Sequence, residues 1–422
     1  MSKELKILEL FAGVGGFRLG FETSDKNLFK TKWANQWEPS KKSQDAFEIY
    51  NYHFKDSQNT NKDIQEISDE EFEKMDADII VGGFPCQDYS VARSKKGELG
   101  IEGKKGVLFW EIIRAVTQIK PQYLVLENVD RLLKSPSNQR GRDFAVMLAA
   151  FNELNYSVEW RVINAADYGR AQRRRRVFFF VYRNDSEFAI SVDKDQKLDG
   201  PGIAKYDDYI FGNGLFARQF PIRAEAVKNR REEYNLPSDI VKVSDDFSGK
   251  VWNSGIMRYG QYLTIDTAST MEEPPITLGT ILESEETIPS KYYITDKERL
   301  EKFKYLRGPK KIERTSSTGH KYIYSEGGMS PTDQLDLPSR TMLTSEGTLN
   351  RSTHFIEVNG RFRLLTPVES ERLQDFPDNW TKYKIDKTGV VSEVSDRMRM
   401  FFMGNALVTG IVKRIADEIR KI

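Results

Sequence analysis

The sequence predicts an α/β protein: a mixed, mostly parallel sheet with helices on both faces, plus a smaller irregular domain. Over residues 1–183, short apolar runs alternate with amphipathic stretches, the pattern of strands linked by crossover helices. Over residues 184–346 this alternation gives way to short segments rich in Gly, Pro, Ser and charge. That change predicts a second module. Regular signals return in residues 347–422, which we expect to pack back onto the first domain.

The individual elements follow from the periodicity. Apolar residues at three-to-four spacing predict helices over residues 16–22, 107–119 and 143–154. Near the C terminus, Pro367 occupies a plausible first helical position of a run to residue 374, and a last helix is expected over residues 406–419. The predicted strands are residues 6–10, 31–37, 78–81, 123–126, 157–163 and 177–182.

Composition excludes several classes of protein. The 422 residues, 39% of them hydrophobic, can bury one large core and a smaller one. No apolar run approaches the roughly 20 residues that span a bilayer, and the charged start is unlike a signal peptide, so we expect a cytoplasmic protein. One cysteine permits no internal disulfide, and three histidines far apart in sequence make a metal site unexpected. A net charge of +1 leaves a polyanionic partner open.

A glycine-rich turn follows the first predicted strand. Residues 6–10 run directly into Phe11-Ala12-Gly13-Val14-Gly15-Gly16-Phe17, where the backbone can approach a ligand closely. A nucleotide-binding loop and a merely tight turn look alike at this level. The second strand ends in Gln36-Trp37-Glu38. There a polar group can hold a ribose hydroxyl and an indole can cover an adenine, so a nucleotide-like cofactor is favoured.

The only cysteine lies just past the end of another predicted strand. Residues 78–81 open into Gly82-Gly83-Phe84-Pro85-Cys86-Gln87, and ligands bind at such sheet edges. A free cysteine alone is more often a small buried hydrophobe. Here the preceding proline restrains the backbone, and the polar residues 88–105, with three glycines, resemble a mobile lid. This context favours a nucleophile.

An acid and an arginine run follow. Strand 123–126 leads into Glu127, which would share a sheet edge with Cys86. An enclosed carboxyl group tends to have a raised pKa and can bond a ring nitrogen, although such a residue can also be a helix N-cap. In extended backbone, Gln172, Arg174 and Arg176 project to one side. That side can face the active site and hold phosphate or base oxygens.

In this order, these residues resemble the cytosine-5 DNA methyltransferases, and the likeness covers nearly all of the chain outside residues 184–346. Two positions depart from the family pattern. Gln36 stands where the family usually has Glu, so either Gln36 or Glu38 holds the cofactor ribose, and Ala406 stands where many relatives have serine. The resemblance implies contact with S-adenosylmethionine by Phe11, Ala12, Gly13, Val14, Gly16, Gln36, Trp37, Glu38, Asp63, Ile64, Pro85, Leu108, Asn405 and Ala406.

The resemblance also implies a fold and a reaction. The first domain would be a Rossmann-like S-adenosylmethionine-dependent methyltransferase domain, and residues 184–346 a target-recognition domain. Cys86 would add to carbon 6 of a cytosine flipped out of double-stranded DNA, Glu127 would engage ring N3, and Gln172, Arg174 and Arg176 would support them. The reaction needs no metal, and these enzymes usually act as monomers. The expected DNA contacts are Gln87, Ser90, Arg307, Lys310, Lys311 and Arg340.

Three alternatives stay open. A tRNA cytosine-5 methyltransferase would have the same catalytic set, but the large middle module favours DNA. A nicotinamide-dependent oxidoreductase, or a DNA-binding relative without activity, would not explain Cys86 together with Glu127. Residues 305–311, 325–330 and 340–347 resemble the target-recognition part of bacterial restriction-modification methylases that modify the cytosine of GATC. We therefore expect that target, although no physical argument derives the sequence from these residues.

Overall fold

The computed structural model describes residues 4–39, 41, 43–85, 108–136, 139–195, 206–224, 230–237, 239–316 and 319–422. The strands are β1 Leu5–Leu10, β2 Phe29–Asn35, β3 Gln58–Thr60, β4 Ile79–Gly83, β5 Tyr123–Val129, β6 Tyr156–Asn164, β7 Arg175–Arg183, β8 Ile222–Ala224, β9 Arg231–Asn235, β10 Ser254–Arg258, β11 Gln261–Ile265, β12 Thr267–Ser269, β13 Lys310–Thr315, β14 Lys321–Glu326, β15 Phe355–Val358, β16 Arg361–Leu364, β17 Tyr383–Ile385 and β18 Val391–Glu393. The α-helices are α1 Gly16–Asp25, α2 Asp45–His53, α3 Asp69–Glu73, α4 Leu108–Ile119, α5 Arg142–Glu153, α6 Glu187–Asp195, α7 Tyr206–Asp208, α8 Leu215–Gln219, α9 Ile240–Asp246, α10 Lys297–Arg307, α11 Pro367–Leu373, α12 Asp396–Asn405 and α13 Thr409–Ile419.

A large mixed sheet organises the molecule, which confirms the predicted fold class. In the described residues its order is β3-β2-β1-β4-β5-β7-β6-β10-β11-β9. Pairing is parallel from β3 to β5 and antiparallel from β5 onward. Because β2 and β4 flank β1, the strand order reverses at β1, and the carboxyl ends of these strands border the crevice where α/β sheets bind ligands.

Apolar side chains cover both faces of this sheet. Leu8 and Ile80 pack with α4 and α5 on one face, and Ile7 and Val81 pack on the other with α1 and α13. This division follows from the alternation of side chains along a strand. The C-terminal helix lies so close to α1 that a Cβ at Gly20 would be 2.6 Å from Val412. Helix α13 is thereby part of the core on this face of the sheet.

One boundary in the sequence interpretation needs correction. Residues 184–346 were expected to form a separate module, but β10 within that range pairs with β6, and β11 and β9 extend the main sheet further. Residues of α7 and α8 also join the core on the α1 face. These strands add to the sheet edge in antiparallel order, and β10 and β11 form a hairpin, so they need no crossover helices and the helix–strand alternation of the first half is absent here.

Residues 266–364 form the part that stands apart from the sheet. They contain α10, the β13–β14 hairpin and the β15–β16 hairpin around a small core of Ile294, Phe303, Phe355 and Leu364. The rings of Phe303 and Phe355 stack with centroids 4.7 Å apart. We call residues 266–364 the recognition region, after the role that the sequence leads us to expect for this part of the chain. No helix in the described part of the chain is both long and apolar enough to cross a membrane.

Candidate active site

A cavity of about 720 Å³ opens at the carboxyl ends of β1, β2, β4 and β5. Its walls come from the residues that follow those strands and from the segment after α12. The volume falls within the range of about 300–1,000 Å³ typical of small-molecule sites. Its position at the reversal of strand order is where an α/β sheet is expected to bind a ligand.

The turn after β1 shapes one wall of this cavity. Phe11, Gly13 and Gly15 all have positive φ, with values of 53°, 54° and 91°. A Cβ at Gly15 would lie 2.5 Å from the ring of Phe54, whereas a Cβ at Gly13 would meet nothing within 4 Å. The Gly13 amide donates a 2.7 Å hydrogen bond to Oε1 of Gln36. The glycines therefore keep the turn tight and leave open space for a ligand.

The residues expected to contact a cofactor lie around this one cavity. Two further residues of the cavity lining, Asn35 and Phe402, were not expected from the sequence. Asn35 is the last residue of β2, directly before the predicted Gln36, so its place was the only signal available. The expected residues in the lining are Phe11, Ala12, Gly13, Val14, Gly16, Gln36, Trp37, Glu38, Asp63, Ile64, Pro85, Leu108, Asn405 and Ala406.

Polar and aromatic groups sit at one end of the cavity. Trp37 lines the cavity and is 37% exposed. Burial raises the pKa of Glu38, and the charge of Lys41 opposes the rise. Asp63 caps a short 3₁₀ turn by accepting from the Gln65 amide at 3.1 Å. This end offers carboxylate acceptors beside an aromatic surface. Such groups suit the hydroxyls and the base of a nucleoside.

Glu127 forms the opposite wall together with Arg176. The Arg176 Nε atom lies 2.8 Å from Glu127 Oε1, because β5 and β7 pair antiparallel at this point. Burial raises the pKa of Glu127, while the charges of Arg176 and Arg174 oppose that rise. Glu127 Oε2 would be 3.0 Å from a Cβ at Gly83. The carboxyl group is thus confined between a glycine and a cation at the cavity wall.

The segment that leads to the cysteine is anchored beside Glu127. Asn128 donates to the Phe84 carbonyl at 2.9 Å, which fixes the end of β4 against β5. Pro85 lines the cavity and Cys86 is the next residue in the chain. Cys86, Gln87, Ser90 and the expected lid over residues 88–105 lie outside the described residues.

Gln172 and Arg174, which were expected to face the active site together with Arg176, do not line the cavity. Gln172 accepts from the Met342 amide at 2.9 Å and donates to the Leu373 carbonyl at 3.1 Å. Arg174 is buried and donates to the carbonyls of Met342 and Gly404, at 3.0 Å and 2.9 Å. Both side chains tie the recognition region and the C-terminal segment to the catalytic strand β7. Arg176 alone of the three reaches the cavity.

The structure corrects the expectation that Arg307 contacts DNA. Its side chain is only 1% exposed, and it donates to Asp333 at 2.6 Å and to the Thr353 carbonyl at 2.7 Å. Arg340 bonds the other oxygen of Asp333 at 2.5 Å and keeps 24% of its side chain exposed. Burial alone would raise the pKa of Asp333, but the bond from Arg340 and the nearby charges of His354 and Arg307 hold it well below its usual range.

Comparison with known families decides the class of protein. A family profile described as C-5 cytosine-specific DNA methylase matches residues 5–421. The chain belongs to this family. It is therefore an enzyme of DNA cytosine methylation, and the cavity, Glu127 and the glycine turn lie within the matched residues.

Individual methylases of this family differ in how much of the chain they match. Type II methyltransferase M.Sau3AI of Staphylococcus aureus is 55% identical over 419 residues, covering 99% of this chain and 96% of the relative. Type II methyltransferase M.HhaI of Haemophilus parahaemolyticus is 34% identical over 181 residues, covering 43% of this chain and 50% of the relative. Similarity thus extends through the recognition region in the first case, and over less than half of the chain in the second.

Solved structures support the fold. The crystal structure of S. pombe Dnmt2 methyltransferase superimposes with a TM-score of 0.58 at 14% identity, over 99% of both chains. Entamoeba histolytica methyltransferase EhMeth gives 0.56 at 15% identity, over 100% of this chain and 99% of that one. At this level of identity the likeness concerns the arrangement of the elements.

Proposed function

We propose that this methylase transfers a methyl group from S-adenosylmethionine to carbon 5 of a cytosine flipped out of double-stranded DNA. The observation that carries the proposal is the single cavity that joins the glycine turn and the Trp37–Glu38 end to the Glu127–Arg176 pair. A cofactor pocket and an acid able to bond a base lie in the same space. Pro85 borders that space, and Cys86 is the next residue in the sequence.

The residues present fit S-adenosylmethionine. The open space at Gly13 and the positive φ angles of the turn allow a ligand to approach the backbone. Trp37 offers a flat apolar surface to an adenine. Oε1 of Gln36 already accepts the Gly13 amide, so we assign the ribose hydroxyls to the carboxylate of Glu38. When bound, the cofactor supplies an electrophilic methyl group.

The chain's own residues make the cytosine reactive. The Cys86 thiolate forms a bond to carbon 6, and the electron pair displaced toward carbon 5 lets that carbon accept a methyl group. Glu127 hydrogen-bonds ring N3 and stabilises the resulting enamine, and a raised pKa suits this role because it favours the protonated form. Loss of the C5 proton to solvent and breakage of the carbon 6–sulfur bond restore the aromatic ring. Flipping costs a few kcal/mol of unstacking, which contacts to the enzyme must offset.

Gln172 and Arg174 act by positioning in this scheme. Their bonds to Met342, Leu373 and Gly404 hold the recognition region against β7 and the cavity. A shift of about 1 Å in such a frame can lower the rate of a reaction about 100-fold. Arg176 is the member of the motif that faces the reacting groups.

For DNA recognition we propose GATC as the target and protection of host DNA in a restriction-modification system as the role. The likeness of the recognition region to GATC methylases supports this, as does identity to a Type II methyltransferase through that region. Lys311 is exposed on the β13–β14 hairpin, and Arg340 keeps part of its guanidinium exposed. Lys310, expected from the sequence to contact DNA, is instead mostly buried and pairs with Glu326. Arg307 is buried against Asp333 and is not among the proposed DNA contacts. Such an enzyme would act as a monomer in the cytoplasm, where bacterial DNA lies.

The test combines two measurements. Methyl transfer from labelled S-adenosylmethionine is compared on duplex DNA, on the same DNA premethylated at GATC cytosines, and on tRNA. Label in the first substrate alone is expected. Transfer to tRNA would favour the RNA alternative, and unchanged transfer to premethylated DNA would end the GATC assignment while keeping the reaction. Bisulfite sequencing of DNA from a host that expresses the chain then maps the modified sites.

A further inference from the structure

The β13–β14 hairpin presents one face to solvent. Its two strands pair antiparallel with Lys311 opposite Ser325, Glu313 opposite Ile323 and Thr315 opposite Lys321. Because side chains alternate along a strand, these six residues share one face, and all six are exposed. We call them the outer face. The opposite face is partly covered, with Arg314 3.9 Å above the ring of Tyr324.

The base of the hairpin is held firmly. Lys310 reaches Glu326 at 3.2 Å and donates to the Leu306 carbonyl at 2.7 Å, and Arg351 pairs with Glu326 at 2.6 Å. Close to this base, the ion pair between Arg307 and Asp333 is buried. A hairpin that is anchored at its base and exposed along its length is expected to bind a partner molecule.

This anchoring also connects the hairpin to the catalytic strand. Asp333 binds Arg307 at the end of α10 and Arg340 across from it. The residue before Arg340, Ser339, pairs with the segment just before β7, where its carbonyl accepts from the Arg173 amide at 2.8 Å. The outer face is therefore held in a fixed relation to Arg176 and Glu127, which register with a DNA target would require.

Ile323 carries the main signal. Its side chain is 70% exposed in the middle of the outer face, and in the described part of the chain nothing covers it. Lys311 has no ion-pair partner among the described residues, and Lys321 pairs with the one acid of this face, Glu313, at 3.0 Å. The outer face therefore combines an exposed apolar centre with the cation Lys311, while the charges of Lys321 and Glu313 offset each other. Such a face suits a polyanion that also exposes an apolar group.

We propose that the outer face of the β13–β14 hairpin enters the major groove of the target DNA, where Ile323 contacts the C5 methyl group of a thymine and Lys311 a backbone phosphate. A major groove about 12 Å wide admits a two-stranded ribbon, and the thymine methyl is the apolar group it displays. The assignment rests on the proposed function, since GATC supplies one thymine on each strand.

The test removes each side of the contact separately. Equilibrium binding of the full chain is measured at one salt concentration to a GATC duplex and to the same duplex with uracil for thymine, which lacks only the methyl group. For the wild type we expect uracil to weaken binding about fourfold, the effect of leaving one methyl-sized group unburied. For Ile323→Ala we expect weaker binding to the thymine duplex and no further effect of uracil.

Val391→Ala is the matched control, because Val391 is 49% exposed on the β17–β18 hairpin. It should discriminate thymine from uracil as the wild type does. Lys311→Gln should lower the slope of log affinity against log salt by nearly one unit without changing that discrimination. Undiminished discrimination in Ile323→Ala overturns the inference, as does a change in oligomeric state of that variant with DNA binding intact.

Failure of the proposed target is a separate result. If the wild type does not modify GATC, the same comparison is run on the site that bisulfite sequencing maps. A mapped site without thymine overturns the Ile323 contact. If the mapped site contains thymine, the thymine–uracil comparison tests the Ile323 contact as before. The hairpin contact and the target sequence are therefore tested by different measurements.

Discussion

The cavity wall and the recognition region use arginine in opposite ways. At the wall, Arg176 lies 2.8 Å from Glu127 and borders open space, so the pair can respond to a ligand. In the recognition region, Arg307 is buried against Asp333 and a backbone carbonyl. The charge of Arg307 is therefore neutralised inside the protein and is not available to a ligand. By contrast, Lys311 is exposed on the outer face of the hairpin and has no ion-pair partner among the described residues.

This difference shows that burial decides what a charged side chain does. A buried pair contributes to stability only while both partners remain, since removal of one leaves the other uncompensated. A pair at a cavity wall can exchange one partner for a ligand. Substitutions in the two regions should therefore separate cleanly into effects on folding and effects on chemistry.

The largest effect is expected for Cys86→Ser, which should abolish methyl transfer. A hydroxyl is far less nucleophilic than a thiolate, so the covalent step fails. Binding of DNA and cofactor should stay largely intact. Single-turnover transfer and gel-shift affinity measure the two properties, and a DNA containing 5-fluorocytosine should trap a covalent adduct in the wild type alone. Retained turnover would remove Cys86 from its role.

Arg307→Met tests the buried cluster. We expect the free energy of unfolding to fall by about 1.5–3 kcal/mol, because Asp333 loses one of its two arginine partners and keeps Arg340. Urea denaturation measures the change. The matched control is Lys311→Gln, an exposed site that should shift stability by less than about 0.5 kcal/mol. A stable Arg307→Met protein with relaxed sequence preference would instead return Arg307 to base reading.

Glu127→Gln tests the cavity wall. The amide keeps the shape of the carboxyl group but cannot give up and accept a proton at N3, so the rate should fall by about 100-fold or more. Stability should change little, in contrast to Arg307→Met. Single-turnover rates with saturating DNA provide the measurement. Rates within a factor of two of the wild type would reassign Glu127 to a structural role.

Local sequence predicted the cavity well and the recognition region poorly. The positions of Gly13, Gln36 and Glu127 follow from strand ends, and the carboxyl ends of parallel strands meet by geometry. The burial of Arg307 depends on Asp333 and Thr353, which lie 26 and 46 residues away. The same holds for β10, whose pairing with β6 spans about a hundred residues. Contacts between distant residues of irregular segments leave no periodic signal.

The smallest effect concerns Glu9, a buried acid beneath the cofactor turn whose contacts are with neutral groups. It accepts from Tyr50 at 2.9 Å and from the Arg18 amide at 3.3 Å, whereas the Arg18 guanidinium binds Glu22 and Asp56. Burial raises its pKa from 4.5 to about 7, against these two hydrogen bonds. The folded protein thus keeps a proton that the unfolded chain has released between these pH values.

Stability should therefore fall as the pH rises through the window from 4.5 to about 7, by at most about 1.4 kcal/mol per pH unit from this group. Glu9→Gln removes the titrating group, so the difference in unfolding free energy between wild type and variant should follow that slope and level off above the window. Urea denaturation at several pH values measures it, with the exposed Glu66→Gln as control. Parallel pH profiles for wild type and Glu9→Gln would show that Glu9 is ionised in the folded protein throughout this range.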